Sequence, residues 1–179
     1  TEELVHWILQ EEFSSALDVG TGSGCIPIVL AKNTNATISA IDVSEKAVTI
    51  ASENAKTNRV EVNFILQDIL KTTILPKVDL IVSNPPYVMG KEKELMQENI
   101  LNYEPELALF VSDENPLLFY RKIAELAFVS LNKNGKLFFE INEQFGQETI
   151  ELLSNIGFVD IELKKDINDK DRMIKAIKK

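Results

Sequence analysis

Asn84-Pro85-Pro86-Tyr87 gathers a side-chain amide, two ring-locked backbone units and a phenol at one point of the chain. It directly follows Val78-Asp79-Leu80-Ile81-Val82-Ser83, an apolar run of the kind buried in parallel sheets. Two successive prolines cannot extend a ladder, so the chain must leave the sheet at Asn84. The Asn84 amide and the Pro85 carbonyl then stand at the carboxyl end of a strand, the edge where open α/β sheets hold their ligands. Both oxygens accept hydrogen bonds, which suits a planar –NH2 donor. Tyr87 can lay its ring against the plane of that group. Asn-Pro alone reads as a plain turn, but the whole tetrapeptide directly after an apolar strand reads as a site. An amide nitrogen and a nucleobase amine satisfy it equally.

A second group of residues lies at the end of an earlier strand. Leu17-Asp18-Val19-Gly20-Thr21-Gly22-Ser23-Gly24 runs straight into a helical segment. Glycines there let the backbone turn sharply and approach a ligand, with the helix amides pointing into the site. The G-x-G-x-G spacing is shorter than the dinucleotide fingerprint G-x-G-x-x-G. Asp42 ends the next strand, at the place where an acidic residue takes both hydroxyls of a ribose. After the third strand, Asp68 can accept from an exocyclic amine and Ile69 can cover a purine face. Taken singly, Asp42 and Asp68 each have an ordinary reading as a loop or cap residue. Their occurrence in strand order is the stronger signal.

These groups converge only if alternating strands and helices carry them to one edge. The periodicity predicts strands over 16–20, 37–42, 60–66, 78–83, 136–141, 158–163 and 172–177. It predicts helices over 2–11, 23–32, 45–57, 116–131 and 143–155. Such alternation specifies a parallel α/β sheet. Only 164–171 separates the last two strands, too short for a helical crossover, so they form an antiparallel hairpin. Ser44 is the expected N-cap of its helix, and Gly135 and Gly157 punctuate helix-to-strand passages. Residues 88–115 form one long irregular stretch, a length that tends to be functional.

The chain has 179 residues, 45% of them hydrophobic and 26% charged, as expected of one globular domain. A formal charge of −9 argues against direct nucleic-acid binding. No run approaches a membrane span and no signal peptide is evident, which points to a cytoplasmic protein without a membrane partner. One cysteine, Cys25, and one histidine, His6, exclude a disulfide and a metal cluster built on those residues. Lys175, Lys178 and Lys179 read as a solvated tail.

Asp18, the glycine loop, Asp42, the Asp68-Ile69 pair and the tetrapeptide together resemble the class I S-adenosylmethionine-dependent methyltransferases. A narrower resemblance, to the HemK/PrmC family, rests on Tyr103-Glu104-Pro105-Glu106-Leu107-Ala108-Leu109, Leu118-Phe119-Tyr120-Arg121-Lys122-Ile123, Phe139-Glu140-Ile141, Lys165-Asp166 and Asp171-Arg172. It implies a seven-stranded Rossmann-like sheet and methyl transfer to the glutamine amide of the Gly-Gly-Gln motif in peptide-chain release factors. By the same resemblance Gly20, Thr21, Gly22, Ser23 and Gly24 form the cofactor loop. Asp18 faces the methionine amino group, Asp42 the ribose, and Asp68 with Ile69 the adenine. Asn84, Pro85, Pro86 and Tyr87 hold the glutamine, with Asn84 also close to the transferable methyl.

The chain departs from that family in two ways. Phe110-Val111-Ser112-Asp113-Glu114-Asn115 stands where a glycine-rich stretch is common, so no catalytic role is assigned there. The opening Thr1-Glu2-Glu3 resembles the end of a linker, which implies that residues 1–179 are the catalytic domain without the family's N-terminal helical docking domain. Three other readings compete. A nucleic-acid amino-group methyltransferase uses the same tetrapeptide on a flipped base. A noncatalytic binding module would not need the complete tetrapeptide. A nicotinamide-dependent oxidoreductase conflicts with the glycine spacing and the terminal hairpin.

Overall fold

A computed structural model describes residues 1–85, 88–89, 110–111 and 115–179. Pro86, Tyr87 and the 103–109 motif lie outside the described residues. Among the described residues nine strands occur: β1 Ser15–Val19, β2 Thr37–Asp42, β3 Asn63–Leu66, β4 Val78–Ser83, β5 Val88–Met89, β6 Phe110–Val111, β7 Leu131–Glu140, β8 Val159–Lys165 and β9 Asp171–Ile177. The helices among the same residues are α1 Glu2–Ile8, α2 Cys25–Asn33, α3 Glu45–Asn58, α4 Leu118–Ser130 and α5 Gly146–Ile156, the last preceded by a 3-10 turn at Glu143–Phe145.

Seven strands form one sheet in the order β3-β2-β1-β4-β7-β9-β8. β1, β2, β3, β4 and β7 run parallel, and β9 is antiparallel to both β7 and β8. This is the expected α/β sheet with its antiparallel terminal hairpin. The strand order reverses between β1 and β4, the switch point at which such sheets open a crevice.

Both faces of the sheet are covered, and the two-residue period divides each strand between them. Leu17, Val19, Ile81, Leu137 and Phe139 pack with α4 and α5 in one cluster. Ala16, Leu80, Val82 and Phe138 pack with α1 and α2 in the other. Tyr120 meets Phe139 edge-on at 5.3 Å, and Trp7 meets Phe138 at the same distance on the opposite face. Each wholly buried aromatic of this kind contributes about 2–3 kcal/mol through lost water contact.

Several boundaries differ from the sequence pattern. The third strand starts at Asn63, not at 60, because Arg59 adopts a left-handed cap that ends α3 first. Leu131 belongs to β7, not to the preceding helix, since it pairs with Val78 across a register shift. Gly135 therefore lies inside a strand. Within the stretch expected to be irregular, Val88–Met89 and Phe110–Val111 pair as short parallel strands. Lys175 corrects the expectation of a solvated tail. It lies on an interior strand, 9% exposed, and its ammonium pairs with Glu11 and Glu162 beside the Trp7 ring. The expected caps are present: Ser44 Oγ accepts from Ala47 N at 3.2 Å, and Gly157 ends α5. Among the described residues no helix is long and apolar enough to cross a membrane.

Candidate functional site

The glycine loop begins one residue past β1. Gly20, Gly22 and Gly24 hold φ of +77°, +55° and +83°, a left-handed region that side chains avoid. Gly20 N and Thr21 N both donate to Ile41 O, at 2.9 and 3.1 Å, so the loop is tied to β2. A Cβ added at Gly20 or Gly22 would meet nothing within 4 Å, which leaves that backbone open to close approach. Gly24 serves packing instead, since its Cβ would lie 3.0 Å from the Cβ of Ala51 on α3. We expect Gly24→Ala to destabilise the fold by about 2 kcal/mol, a fall in Tm of roughly 4–8 °C. An unshifted thermal melt would show that the α2–α3 seam yields without strain.

Asp42 terminates β2 and is held by two backbone amides. Gly22 N donates to its Oδ2 at 2.8 Å and Ser44 N to its Oδ1 at 2.9 Å. A carboxylate has about four lone-pair sites, so each oxygen keeps one for a further donor. The carboxylate is thus pre-aimed and only half used. Asn54 on α3 fixes the other side of the loop, its Nδ2 donating to Ser23 O at 2.9 Å.

Asp68 stands two residues beyond β3 and mostly makes a turn. Its Oδ1 accepts Leu70 N at 3.0 Å, and Lys71 pairs with its Oδ2 at 3.1 Å. The Lys71 ammonium holds this carboxyl below the usual aspartate range. Ile69 is half-buried against the core. Asp68 therefore fills the ordinary role of a turn residue with lone pairs to spare.

Asp18 and Asn84 are brought together by the sheet. Asp18 pairs in register with Val82, and Ser83 Oγ donates to Val19 O at 2.6 Å, which locks the ends of β1 and β4. Asp18 is 1% exposed, and neither of its carboxylate oxygens has a hydrogen-bond partner. Thr21 Oγ1 and Asn84 Oδ1 are likewise buried without a partner. Burial pushes the Asp18 pKa up to about 7. The Thr21 hydroxyl opposes that rise without reaching hydrogen-bond geometry, and the Asp42 charge adds to it. Buried polar groups are normally paired. Asp18, Thr21 and Asn84 thus present unsatisfied polar atoms at one edge of the sheet, the geometry of a candidate site.

The other end of the Asn84 amide is engaged, with Nδ2 donating to Thr1 Oγ1 at 3.2 Å. Sequence reasoning did not assign roles to Asn54, Ser83, Thr1 or Glu140. Asn54 and Ser83 look like ordinary helix and strand residues, and no local signal separates them from their neighbours. Glu140 had one available signal: a carboxylate at the end of an apolar run that must be buried.

The sequence profile of the methyltransferase small domain matches residues 1–107. The chain is 54% identical to the release factor glutamine methyltransferase of Flavobacterium psychrophilum, over 98% of this chain and 65% of the relative. It is 46% identical to the protein of the same name from Bacteroides thetaiotaomicron, again over 98% and 65%. The chain thus spans just under two thirds of these relatives. In fold it is similar to a methyltransferase from Pyrococcus furiosus, with a TM-score of 0.70 and 21% identity over 99% of this chain and 83% of that one. The N-methyltransferase NodS of Bradyrhizobium japonicum, solved in complex with S-adenosyl-L-homocysteine, matches with a TM-score of 0.65 and 17% identity over 99% and 84%. Sheet order, glycine loop and sequence profile agree: the chain belongs to the methyltransferase small domain family and is a relative of the release factor glutamine methyltransferases.

Proposed function

We propose that this chain transfers a methyl group from S-adenosylmethionine to the side-chain amide nitrogen of the glutamine in the Gly-Gly-Gln motif of peptide-chain release factors. The buried, unpartnered Asn84 Oδ1 at the carboxyl end of β4 carries the reading, because an unsatisfied amide oxygen there accepts readily from a planar –NH2 group. The names of the relatives support the protein acceptor over a nucleobase.

The residues present fit the cofactor. Both orphaned oxygens of Asp18 suit an ammonium group, the open faces of Gly20 and Gly22 admit a ligand against the backbone, and Asp42 keeps two lone pairs for ribose hydroxyls. Asp68, with its spare lone pairs, and Ile69 would take the adenine edge and face. The bound sulfonium supplies an electrophilic methyl and a neutral thioether leaving group. Everything else falls to the protein.

A primary amide nitrogen is a weak nucleophile because its lone pair is delocalised into the carbonyl. Asn84 Oδ1 and the Pro85 carbonyl would accept its two hydrogens and hold the nitrogen toward the methyl group that the cofactor would supply. The same two dipoles offset the positive charge that grows on nitrogen during transfer. One of the two protons then leaves; an amide oxygen is too weakly basic to keep it, so it passes to solvent. The parts that the resemblance gives to Pro86 and Tyr87 lie outside the described residues.

The direct test is mass spectrometry of a release factor incubated with this chain and cofactor. One added methyl on the Gly-Gly-Gln glutamine supports the proposal. Methylation of DNA or RNA but not of the release factor overturns it. A longer chain with the full length of the relatives serves as the control for docking. In the same system Asp42→Ala is expected to weaken calorimetric cofactor affinity by roughly tenfold or more, at least the cost of one charge-assisted hydrogen bond. Unchanged affinity would place the ribose elsewhere.

A further inference from the structure

We infer that Glu140 and Thr1 are positioning residues that decide which end of the Asn84 amide meets the acceptor; the inference rests on the acceptor role proposed for Asn84. Asn84 and Glu140 each lie one residue past the register pair Ser83–Phe139. By the two-residue period they share the sheet face that carries Val82 and Phe138, the face of α1. Thr1 stands at the start of α1, above both.

Glu140 is 5% exposed. Its Oε2 accepts the Thr1 hydroxyl at 2.7 Å. A carboxylate offers only lone pairs, and a threonine hydroxyl has a single hydrogen. With that hydrogen committed to Glu140, Thr1 Oγ1 can only accept from Asn84, 3.2 Å away. The Nδ2 end must therefore face Thr1, because Oδ1 in its place would set two acceptors against each other. Oδ1 is left on the opposite side, where it is buried without a partner.

The direction matters because the two ends of an amide are nearly the same size, so packing alone does not distinguish them. A flipped Asn84 would present –NH2 to an acceptor that is itself –NH2, and the site would repel its substrate. Glu140 never touches the substrate; it acts by fixing the direction of two hydrogen bonds.

The test uses this chain with Glu140→Gln, Thr1→Val and Thr1→Ser. A glutamine at 140 can donate to Thr1 Oγ1, which frees the Thr1 hydrogen to point at Asn84 and permits the flip. Thr1→Val removes the link, whereas Thr1→Ser keeps it. The first readout is the Asn84 side-chain NH2 pair in a 15N-resolved NMR spectrum, identified by its loss in Asn84→Asp. Glu140→Gln and Thr1→Val should both shift it, and Thr1→Ser should leave it near its native position. The second readout is kinetic, with a release factor as substrate. Glu140→Gln and Thr1→Val should lower kcat roughly tenfold with calorimetric cofactor affinity unchanged, and Thr1→Ser should restore it. An NH2 pair unmoved by both Thr1→Val and Glu140→Gln overturns the relay whatever the activity. If Glu140→Gln fails to fold, the Thr1 pair alone decides. An NH2 pair that responds as expected in a chain that never methylates a release factor keeps the relay and rejects the substrate.

Discussion

Replacing Asn84 by alanine is expected to lower glutamine methylation by at least about a hundredfold, the typical effect of removing one pre-aimed transition-state dipole. Cofactor affinity should change by less than about tenfold, or ~1.4 kcal/mol. The separation follows from the geometry. Asn84 Oδ1 is the unpartnered end of an amide whose Nδ2 is already held by Thr1, whereas the loop and Asp42 are tied to each other without it. On the proposed roles, loss of the side chain should remove a group that acts on the acceptor and leave the glycine loop and Asp42 standing. Single-turnover methyl transfer and calorimetry, run on the same preparation, check both halves. Retained turnover would remove Asn84 from the mechanism. A matching collapse of cofactor affinity would show that its main role is structural.

The second large effect concerns Asp18 and pH. Its folded pKa is about 7, against an ordinary 3.8, with burial the main cause. A raised folded pKa means that the native chain holds this proton more tightly than the unfolded one. Its contribution to stability is fully present below about pH 4 and is lost as pH rises toward 7. The size is on the order of 4 kcal/mol for a carboxyl shifted this far. Asp18→Asn stays neutral throughout, so it isolates the effect. Denaturant midpoints of the native chain should fall relative to Asp18→Asn between pH 4 and 7 and then level off.

The same carboxyl makes cofactor binding pH-dependent with the opposite sign. An ammonium partner favours the ionised form, so binding near pH 6 should release up to one proton. Calorimetry in two buffers of different ionisation enthalpy measures it. Affinity should rise with pH up to about 7 in the native chain and stay flat in Asp18→Asn, which should bind roughly thirtyfold more weakly at pH 8. Absence of proton release would mean that Asp18 does not meet a cation. The instability of an ionised Asp18 and the affinity of the site are thus one quantity seen from two sides: burial that penalises the free carboxylate strengthens its bond to a cation.

Much of the frame was legible from periodicity. β2, β4 and the hairpin of β8 and β9 lie within two residues of the expected strands, because their apolar pattern and the register they adopt are set by the same burial. Boundaries failed where a backbone event outranked propensity. Arg59 in a left-handed cap delays β3, and the Val78–Leu131 pairing pulls Leu131 out of its helix. The misjudged Lys175 shows a different limit. Its charge reads as solvent-facing, yet its position between β7 and β8 buries the stem and supplies Glu11 and Glu162 as partners.

The candidate site divides along the same line. Sequence alone determined the chemistry on offer: an amide and a carbonyl at a strand end for a planar nitrogen, glycines for close backbone approach, and a carboxylate after each of two neighbouring strands. Those properties belong to residue types and local turns, so no partner is needed to see them. Only the tertiary structure decided which of these groups are spent and which are free. Asp68 turned out to be half-engaged in a turn with Lys71, while Asp18 and one end of Asn84 were left buried without partners. It also decided which way the Asn84 amide points. That direction depends on Glu140, 56 residues away in sequence but one strand away in register, and a hydrogen bond across strands exists only once the register is set.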